Sequence, residues 1–431
     1  MVLTPELKNF IAAHLTDNTD KLLLNAKQYK EIPVAFAVDQ ILARRQIRDK
    51  LPTWYDQPDL LFPSRLSAEQ CSSELTARYK QSLLRGEKVC DLTGGLGIDS
   101  WFFSQVAQKV IYIERFPEYC KAAAANFAVL KAGNIQVIEA DAQTLLPTLQ
   151  ADTFYIDPAR RSGNNKRLFA ITECEPDILQ LKNILLKKSR RLIVKISPMA
   201  DPTETLKLIP EIIEIHIVAV RNECKEMILV LESKKPQPEV KVVTVNFTAS
   251  GERQLFSFQW GQEQTAVYQL ADTVKNYIYE PNSAILKSGA FQLISEQYSI
   301  DKLHQHSHLY TSDQKINHFP GRIFKVRQVM DFSRKKLKQW GKQFPQANIS
   351  VRNFPMSVEE IRKSSGISDG GPLYLFATTL GNARRILIDC EKAYPLISIS
   401  IGSSFLIFSV FPGCSRGISG ISVIFLFSLS S

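Results

Sequence analysis

The stretch Val89-Cys90-Asp91-Leu92-Thr93-Gly94-Gly95-Leu96-Gly97-Ile98-Asp99 decides the fold. A short apolar run meets a glycine-rich turn, and apolar residues at helical spacing follow at once (Trp101, Phe102, Val106). A strand, a glycine turn and a helix N-terminus together bring bare backbone close to a ligand. Asp91 closes the strand with a carboxylate able to accept hydrogen bonds. Gly95, Gly97 and Ser100 half match the dinucleotide-binding pattern. Taken alone, the turn fits both a nucleotide site and an ordinary strand-to-helix connection.

Outward from this turn, strands and helices alternate to Glu232. Strand candidates are residues 89–92, 110–114, 135–138, 153–156, 192–196, 212–220 and 227–231. Pro117 to Ala132 reads as a helix, with Pro near its start, Gly133 past its end, and Cys120, Ala123, Phe127 and Leu130 on one face. Such alternation predicts a parallel sheet with helices on both faces. The last two strands are too close in sequence for a parallel crossover, which takes a dozen or more residues. The expectation is therefore an α/β, Rossmann-like, doubly wound sheet of seven strands with an antiparallel last strand.

Residues 1–64 read as an N-terminal helical region. Arg44, Arg45, Arg48 and Lys50 form a basic run on it, either a solvated face or a phosphate contact, and Pro52, Pro58 and Pro63 mark a linker. Ser67 to Leu84 is expected as one further helix, opened by a capping box at Ser67-Ala68-Glu69-Gln70. The α/β domain is placed at 65–234. Beyond Lys234-Lys235-Pro236-Gln237-Pro238, a linker by composition, two alternating runs (Val240–Phe247 and Leu255–Trp260) read as a β-hairpin. Arg322, Lys325, Arg327, Arg334, Lys335, Lys336, Lys338 and Lys342 crowd a later α+β region. From Tyr394 to Ser431 the chain turns to Ile, Ser, Phe, Leu and Gly, an atypical tail expected to be disordered. Its glycines, Pro412 and serines argue against a membrane span.

Composition narrows the partners. The 431 residues carry a formal net charge of +10 and a pI near 9.1, which favours a polyanion, nucleic acid first. Seven scattered cysteines without a C-x-x-C pair fit reduced thiols and a cytoplasmic protein, not disulfides or zinc. His304, His306 and His308 alternate and would share one face of a strand, yet nothing else of ligand character joins them, so no metal is expected.

In doubly wound sheets ligands bind beyond the carboxyl ends of the strands. Here those ends are Asp91 with its glycines, then Glu114, about twenty residues further, where an acid would accept ribose hydroxyls. Next come Glu139-Ala140-Asp141-Ala142 and Asp157-Pro158-Ala159-Arg160-Arg161. An Asp-Pro step at the fourth strand is foreign to hydride transfer.

These four elements in order resemble the class I S-adenosylmethionine-dependent methyltransferases over residues 65–232. The resemblance implies S-adenosyl-L-methionine as cofactor, held at Asp91, Thr93, Gly94, Gly95, Gly97, Glu114, Asp141, Ala142 and Asp157. Ala159 replaces the second proline of the family's fourth motif, and Arg160 stands where several members place a base-stacking aromatic. Tyr279-Glu280-Pro281-Asn282, Ser307-His308-Leu309-Tyr310-Thr311-Ser312 and Phe319-Pro320-Gly321-Arg322 resemble a bacterial family with such a core followed by a ferredoxin-like module and a THUMP-like domain, here placed at 235–318 and 319–393. THUMP domains are associated with RNA binding, which implies RNA, tRNA or rRNA, as partner.

In methyl transfer an enzyme mainly positions the nucleophile. Asp157 and the Pro158 carbonyl would hold an exocyclic amine by its protons, and a base nitrogen is the expected target. Carbon methylation is disfavoured, since no cysteine follows Pro158. The alternative is a ribose 2′-hydroxyl. Lys195 and Glu226, with Asp157 and more weakly Lys80, resemble the Lys-Asp-Lys-Glu set of ribose 2′-O-methyltransferases, in which Lys195 would take the proton. Arg160, Arg161, Lys166 and Arg167 surround Ser162-Gly163-Asn164-Asn165 as a basic loop suited to phosphate. A non-catalytic RNA-binding protein with a decayed core is the alternative of another class.

Overall fold

The computed structural model describes residues 3–160, 171–233, 239–381, 383–393, 397–401 and 404–408. Two compact units divide the chain, Met1–Trp260 and Gly261–Ser431.

In the first unit the strands are β1 (Lys88–Asp91), β2 (Lys109–Glu114), β3 (Ile135–Glu139), β4 (Thr153–Ile156), β5 (Arg191–Ile196), β6 (Ile212–Val220), β7 (Glu223–Leu231), β8 (Lys241–Phe247) and β9 (Arg253–Gln259). They form one sheet in the order β9-β8-β6-β7-β5-β4-β1-β2-β3. Strands β1 to β5 pair in parallel, and β7 runs antiparallel between β5 and β6. The expected doubly wound core is therefore present, with two differences. Only Arg221 and Asn222 separate β6 from β7, both with left-handed backbone (φ 52° and 64°), so Glu226 lies within β7 instead of opening it. The sheet also has nine strands, not seven. β8 adds parallel to β6, and β9 pairs antiparallel with β8. The hairpin that composition had assigned to the ferredoxin-like module thus completes the first sheet. Val242, Val245, Phe256 and Phe258 are buried there, which favours continuing a sheet over starting a new one.

The N-terminal helices have their own small core (Leu7, Phe10, Ile11, Val38 and Ile41). Residues 43–62 instead join the core around helix Ile98–Ser104, where Trp54 meets Trp101 edge-on at 5.9 Å. Three members of the basic run serve as braces, while Arg48 is exposed beside Asp49. Arg44 is buried and donates to the carbonyls of Gln57, Pro58 and Leu60, which fixes the proline-rich linker. Arg45 donates to the carbonyls of His14, Leu15 and Asp17, and Lys50 to that of Glu69. The single helix expected from Ser67 is two. Helix Arg65–Gln70 carries its capping box on Ser64, and helix Glu74–Gln81 is capped by Ser73. The break between them turns Lys80 inward.

The second unit has β10 (Tyr277–Pro281), β11 (Asp301–Lys302), β12 (Tyr310–Ser312), β13 (Gly321–Asp331), β14 (Asn348–Arg352), β15 (Leu373–Thr379) and β16 (Arg385–Lys392). Their order is β11-β12-β10-β13-β16-β15-β14. Helix Arg334–Gln343 buries Leu337 and Trp340 and leaves Arg334, Lys335, Lys336, Lys338 and Lys342 exposed. The other expected members of that basic group lie apart from it, with Arg322 paired to Glu280 and Arg327 near Asp389. His304, His306 and His308 sit in the turn between β11 and β12, not on a strand. Among the described residues no group of side chains could hold a metal, and no helix is long and apolar enough to cross a membrane. In the tail expected to be disordered, Ile397–Ile401 and Ser404–Phe408 pair antiparallel, and residues 409–431 lie outside the described residues.

Candidate active site

A cavity of about 320 Å³ opens at the carboxyl ends of β1, β2 and β4. Its walls include Asp91, Thr93, Gly94, Gly95, Gly97, Glu114, Asp141, Ala142, Asp157 and Ala159. The glycine turn has a steric cause at two positions. A Cβ on Gly94 would sit 2.2 Å from the Tyr112 ring, and one on Gly97, at φ +85°, would sit 2.7 Å from Phe127. Tyr112 also donates its hydroxyl to the Gly95 carbonyl at 2.6 Å, so the turn is pinned from below.

Asp91 lines the cavity, but its oxygens are engaged within the turn. It is buried, accepting from the Ser100 hydroxyl at 2.6 Å and the Thr93 N–H at 3.1 Å. Burial pushes its carboxyl up to about 7, against the pull of those two bonds. It shapes the turn from inside. Thr93 then accepts from the Asp157 N–H at 2.7 Å, which ties the fourth strand end to the turn. Glu114 Oε2 accepts from the Gly95 N–H at 2.9 Å, and Oε1 from the N–H groups of Arg115 and Phe116. Each carboxylate oxygen has further lone pairs for hydroxyls. Asp141 is exposed, one oxygen capping the short helix Ala142–Leu145 through Gln143.

Behind Asp157 lies a network of buried charge. Lys195 Nζ donates to Asp157 Oδ2. Lys80 is wholly buried, and its Nζ contacts Glu226 at 2.9 and 3.1 Å, Asp99 at 3.1 Å and the Ser72 hydroxyl at 2.8 Å. Asp99 Oδ2 accepts from Ser72 at 2.9 Å and from the Tyr155 hydroxyl at 2.8 Å. Burial works against the charge on Asp99, but Lys80, then Lys195, hold its carboxyl below the ordinary range. Burial likewise opposes the Lys195 ammonium, yet Asp157, Glu226 and Asp99 outweigh it and raise its pKa above that of a free lysine.

The resemblance gave Lys80 only a weak place in the Lys-Asp-Lys-Glu set; the structure puts it at the centre of the network. Asp99, Ser72 and Tyr155 were missed. Asp99 had one signal, its place in the first turn of the helix after the glycines; Ser72 had none. Three carboxylates (Asp99, Asp157 and Glu226) face the two ammoniums of Lys80 and Lys195, so the network's balance is negative. Of the expected substrate-binding loop, Arg160 pairs through its backbone with Cys174, while Arg161, Lys166 and Arg167 lie outside the described residues.

Comparison with known proteins gives three kinds of likeness. Residues 277–320 match a ferredoxin-like domain family and residues 321–392 a THUMP domain-like family. The chain is 28% identical over 136 residues to ribosomal RNA small subunit methyltransferase J of Rhodopseudomonas palustris strain HaA2, covering 27% of this chain and 62% of that protein. Its counterpart in strain TIE-1 is 40% identical over 83 residues, 17% of this chain and 41% of the relative. The chain thus spans less than two thirds of the length of these relatives. A crystal structure of a candidate methyltransferase from Porphyromonas gingivalis W83 superposes with a TM-score of 0.82 at 35% identity, over 91% of this chain and all of that one.

Proposed function

With its ferredoxin-like and THUMP-domain-like parts, this chain belongs to the methyltransferase family of the Porphyromonas gingivalis protein, and on that premise we propose that it methylates a base nitrogen of structured RNA with S-adenosylmethionine as donor. The observation that carries the proposal is the single cavity joining the glycine turn, Glu114 and Asp141 to Asp157. Gly94 and Gly97 let the turn pack flat on Tyr112 and Phe127, and at Gly95 (φ +52°) nothing lies closer than 3.9 Å to where a Cβ would sit, so bare backbone there is open to a ligand. Glu114 would accept the ribose hydroxyls, and Asp141 with the Ala142 N–H would meet the adenine. The negative balance around Asp157 suits a sulfonium cation. When bound, S-adenosylmethionine supplies an electrophilic methyl group.

The protein's own part is positioning. Asp157 and the Pro158 carbonyl accept the protons of an exocyclic amine and aim its lone pair. Asp157 is the nearest acceptor for the proton the nitrogen sheds afterwards. Lys195 steadies Asp157 and keeps its own proton, as its raised pKa implies. That state supports the amine target, which needs no base. One observation favours the second reading, a ribose 2′-hydroxyl: Lys80 stands with Asp157, Lys195 and Glu226 around one site. Ribosomal RNA is the preferred substrate over tRNA, because the two Rhodopseudomonas relatives are named for it. The cytoplasm, where RNA and free thiols coexist, is the proposed location; Cys71, Cys90, Cys120 and Cys390 are free thiols.

The test is methyl transfer from labelled S-adenosylmethionine to small-subunit ribosomal RNA, followed by nucleoside mass spectrometry. Label on a base nitrogen is expected. Label on ribose oxygen selects the second reading. Failure to bind S-adenosylmethionine at millimolar concentration would instead mark a non-catalytic RNA-binding protein.

A further inference from the structure

The second unit holds a polar cluster that methyl transfer does not use. Glu280, near the end of β10, is 3% exposed, and a buried carboxylate persists only when paired and hydrogen-bonded. Oε2 accepts from Arg322 Nε at 2.7 Å and from Nη2 of the same guanidinium. Oε1 accepts from Arg352 Nη2 at 2.7 Å. Arg322 lies on β13 and Arg352 at the end of β14, with β16 and β15 between them in the sheet order. The sheet must curl for both to reach one carboxylate.

This arrangement is more than charge neutralisation. Two guanidiniums share one carboxylate, and each side chain stays more than a third exposed. Arg352 spends Nη1 on the Val351 carbonyl at 3.0 Å, and Arg322 lies over the Phe324 ring at 5.5 Å. Both forks are thereby fixed in place with N–H groups left over.

The turn between β11 and β12 packs beside them. Asn353 Nδ2 donates to His304 Nδ1 at 2.9 Å, which also accepts from the His306 N–H at 3.0 Å. His308 stacks on Phe291 at 3.7 Å, and its backbone is held left-handed at φ 51°. Its Nδ1 is buried without a hydrogen-bond partner. A strained backbone and an orphaned polar atom in one residue are costs that cluster at binding sites. Lys302 is 2% exposed and bonds the Gln305 carbonyl at 3.0 Å. Burial, then Lys302, His306 and Arg352, push His308 down to about 4.

We propose that Arg322 and Arg352, braced by the buried Glu280 and flanked by residues 304–308, hold a backbone phosphate of the RNA substrate. The inference rests on the RNA reading above and adds to it a place on the second unit. Planar guanidinium forks match phosphate oxygens, and a buried carboxylate that fixes the forks in advance lowers the ordering cost of binding. The lysines of helix Arg334–Gln343 have no such brace; they would attract RNA without orienting it.

The experiment measures binding of the full-length protein to total cellular RNA across a salt series, with S-adenosylmethionine binding measured in parallel. Arg322→Gln keeps a hydrogen-bonding group against Glu280 and removes a cation. Asn353→Asp removes no cation but sets a carboxylate beside His304 in the flanking turn, at a φ of 50° that aspartate tolerates. Each is expected to weaken RNA binding about tenfold at low salt, the worth of a hydrogen bond to a charged group. Arg322→Gln should also lower the salt slope by about one. S-adenosylmethionine affinity should not change. Lower melting temperatures with unchanged RNA affinity in the folded variants would reduce the cluster to a structural ion pair and overturn the site alone. A wild-type protein that neither binds nor methylates RNA would overturn the RNA reading and this site with it.

Discussion

Lys80 and Glu280 are both charged and both buried, and they face their partners in opposite senses. In the first unit the cation lies at the bottom, with Asp99 and Glu226 upon it, and the carboxylate nearest solvent is Asp157. In the second unit the carboxylate lies at the bottom and the guanidiniums of Arg322 and Arg352 reach outward. The buried member of each cluster is scaffold, and the outer members set the sign of what is met. Carboxylates outward suit a sulfonium and an amine; guanidiniums outward suit a phosphate. The comparison therefore assigns activity to outer residues and stability to inner ones.

The sharpest break of that rule would come from Asp157→Ala. Loss of the outer carboxylate should reduce methyl transfer by at least ~10³-fold, in the range where positioning and electrostatic contacts operate, while the unfolding midpoint in urea falls less than for an inner residue, because Glu226 and Asp99 still face Lys195. A large stability loss with residual activity would reverse the assignment. Lys80→Met is the inner counterpart. Removing one member of a buried ion cluster leaves uncompensated carboxylates and should cost about 3–5 kcal/mol of unfolding free energy. Urea titration reads that directly, and an unaffected stability would mean that Glu226 and Asp99 take protons or water instead.

Lys195→Met is milder and sharpens the chemistry. With an amine target the rate should fall within about tenfold, whereas loss of a general base costs ~10²–10⁴-fold. Steady-state rates at saturating S-adenosylmethionine separate the two. Asp91 tests the inner side of the rule through pH. Its folded carboxyl titrates near 7, above its unfolded value, so the native state binds the extra proton between about pH 4 and 7. Stability contributed by this residue is therefore present at low pH and declines as pH rises through that window. Asp91→Asn keeps partners for Ser100 and Thr93 and should flatten the decline. Urea midpoints of both proteins across that pH range test the sign.

Much of the first unit was legible because its signals are local. Alternating strands and helices, a glycine turn and acids at successive strand ends lie within short windows, and each sits where the sheet topology brings strand ends together. Lys80 was poorly legible for the opposite reason. It is 146 residues from Glu226 in sequence, and only the break between helices Arg65–Gln70 and Glu74–Gln81 turns it inward. Arg44 misled in a similar way, since an arginine sated by loop carbonyls looks in sequence like one that faces water. The ninefold sheet was hidden because alternating hairpin residues look the same at the edge of an existing sheet and at the start of a new one.

That hairpin fixes where the first unit can be cut. A fragment ending near residue 234, at the compositional linker, would leave β6 as a bare sheet edge along Glu214–Val220. Ile215, Ile217 and Val218 on that strand are buried in the intact chain. An open, apolar edge is a template for pairing with another molecule. Such a fragment should precipitate or self-associate, whereas one ending after Trp260 keeps β8 and β9 as its cover and should remain monodisperse.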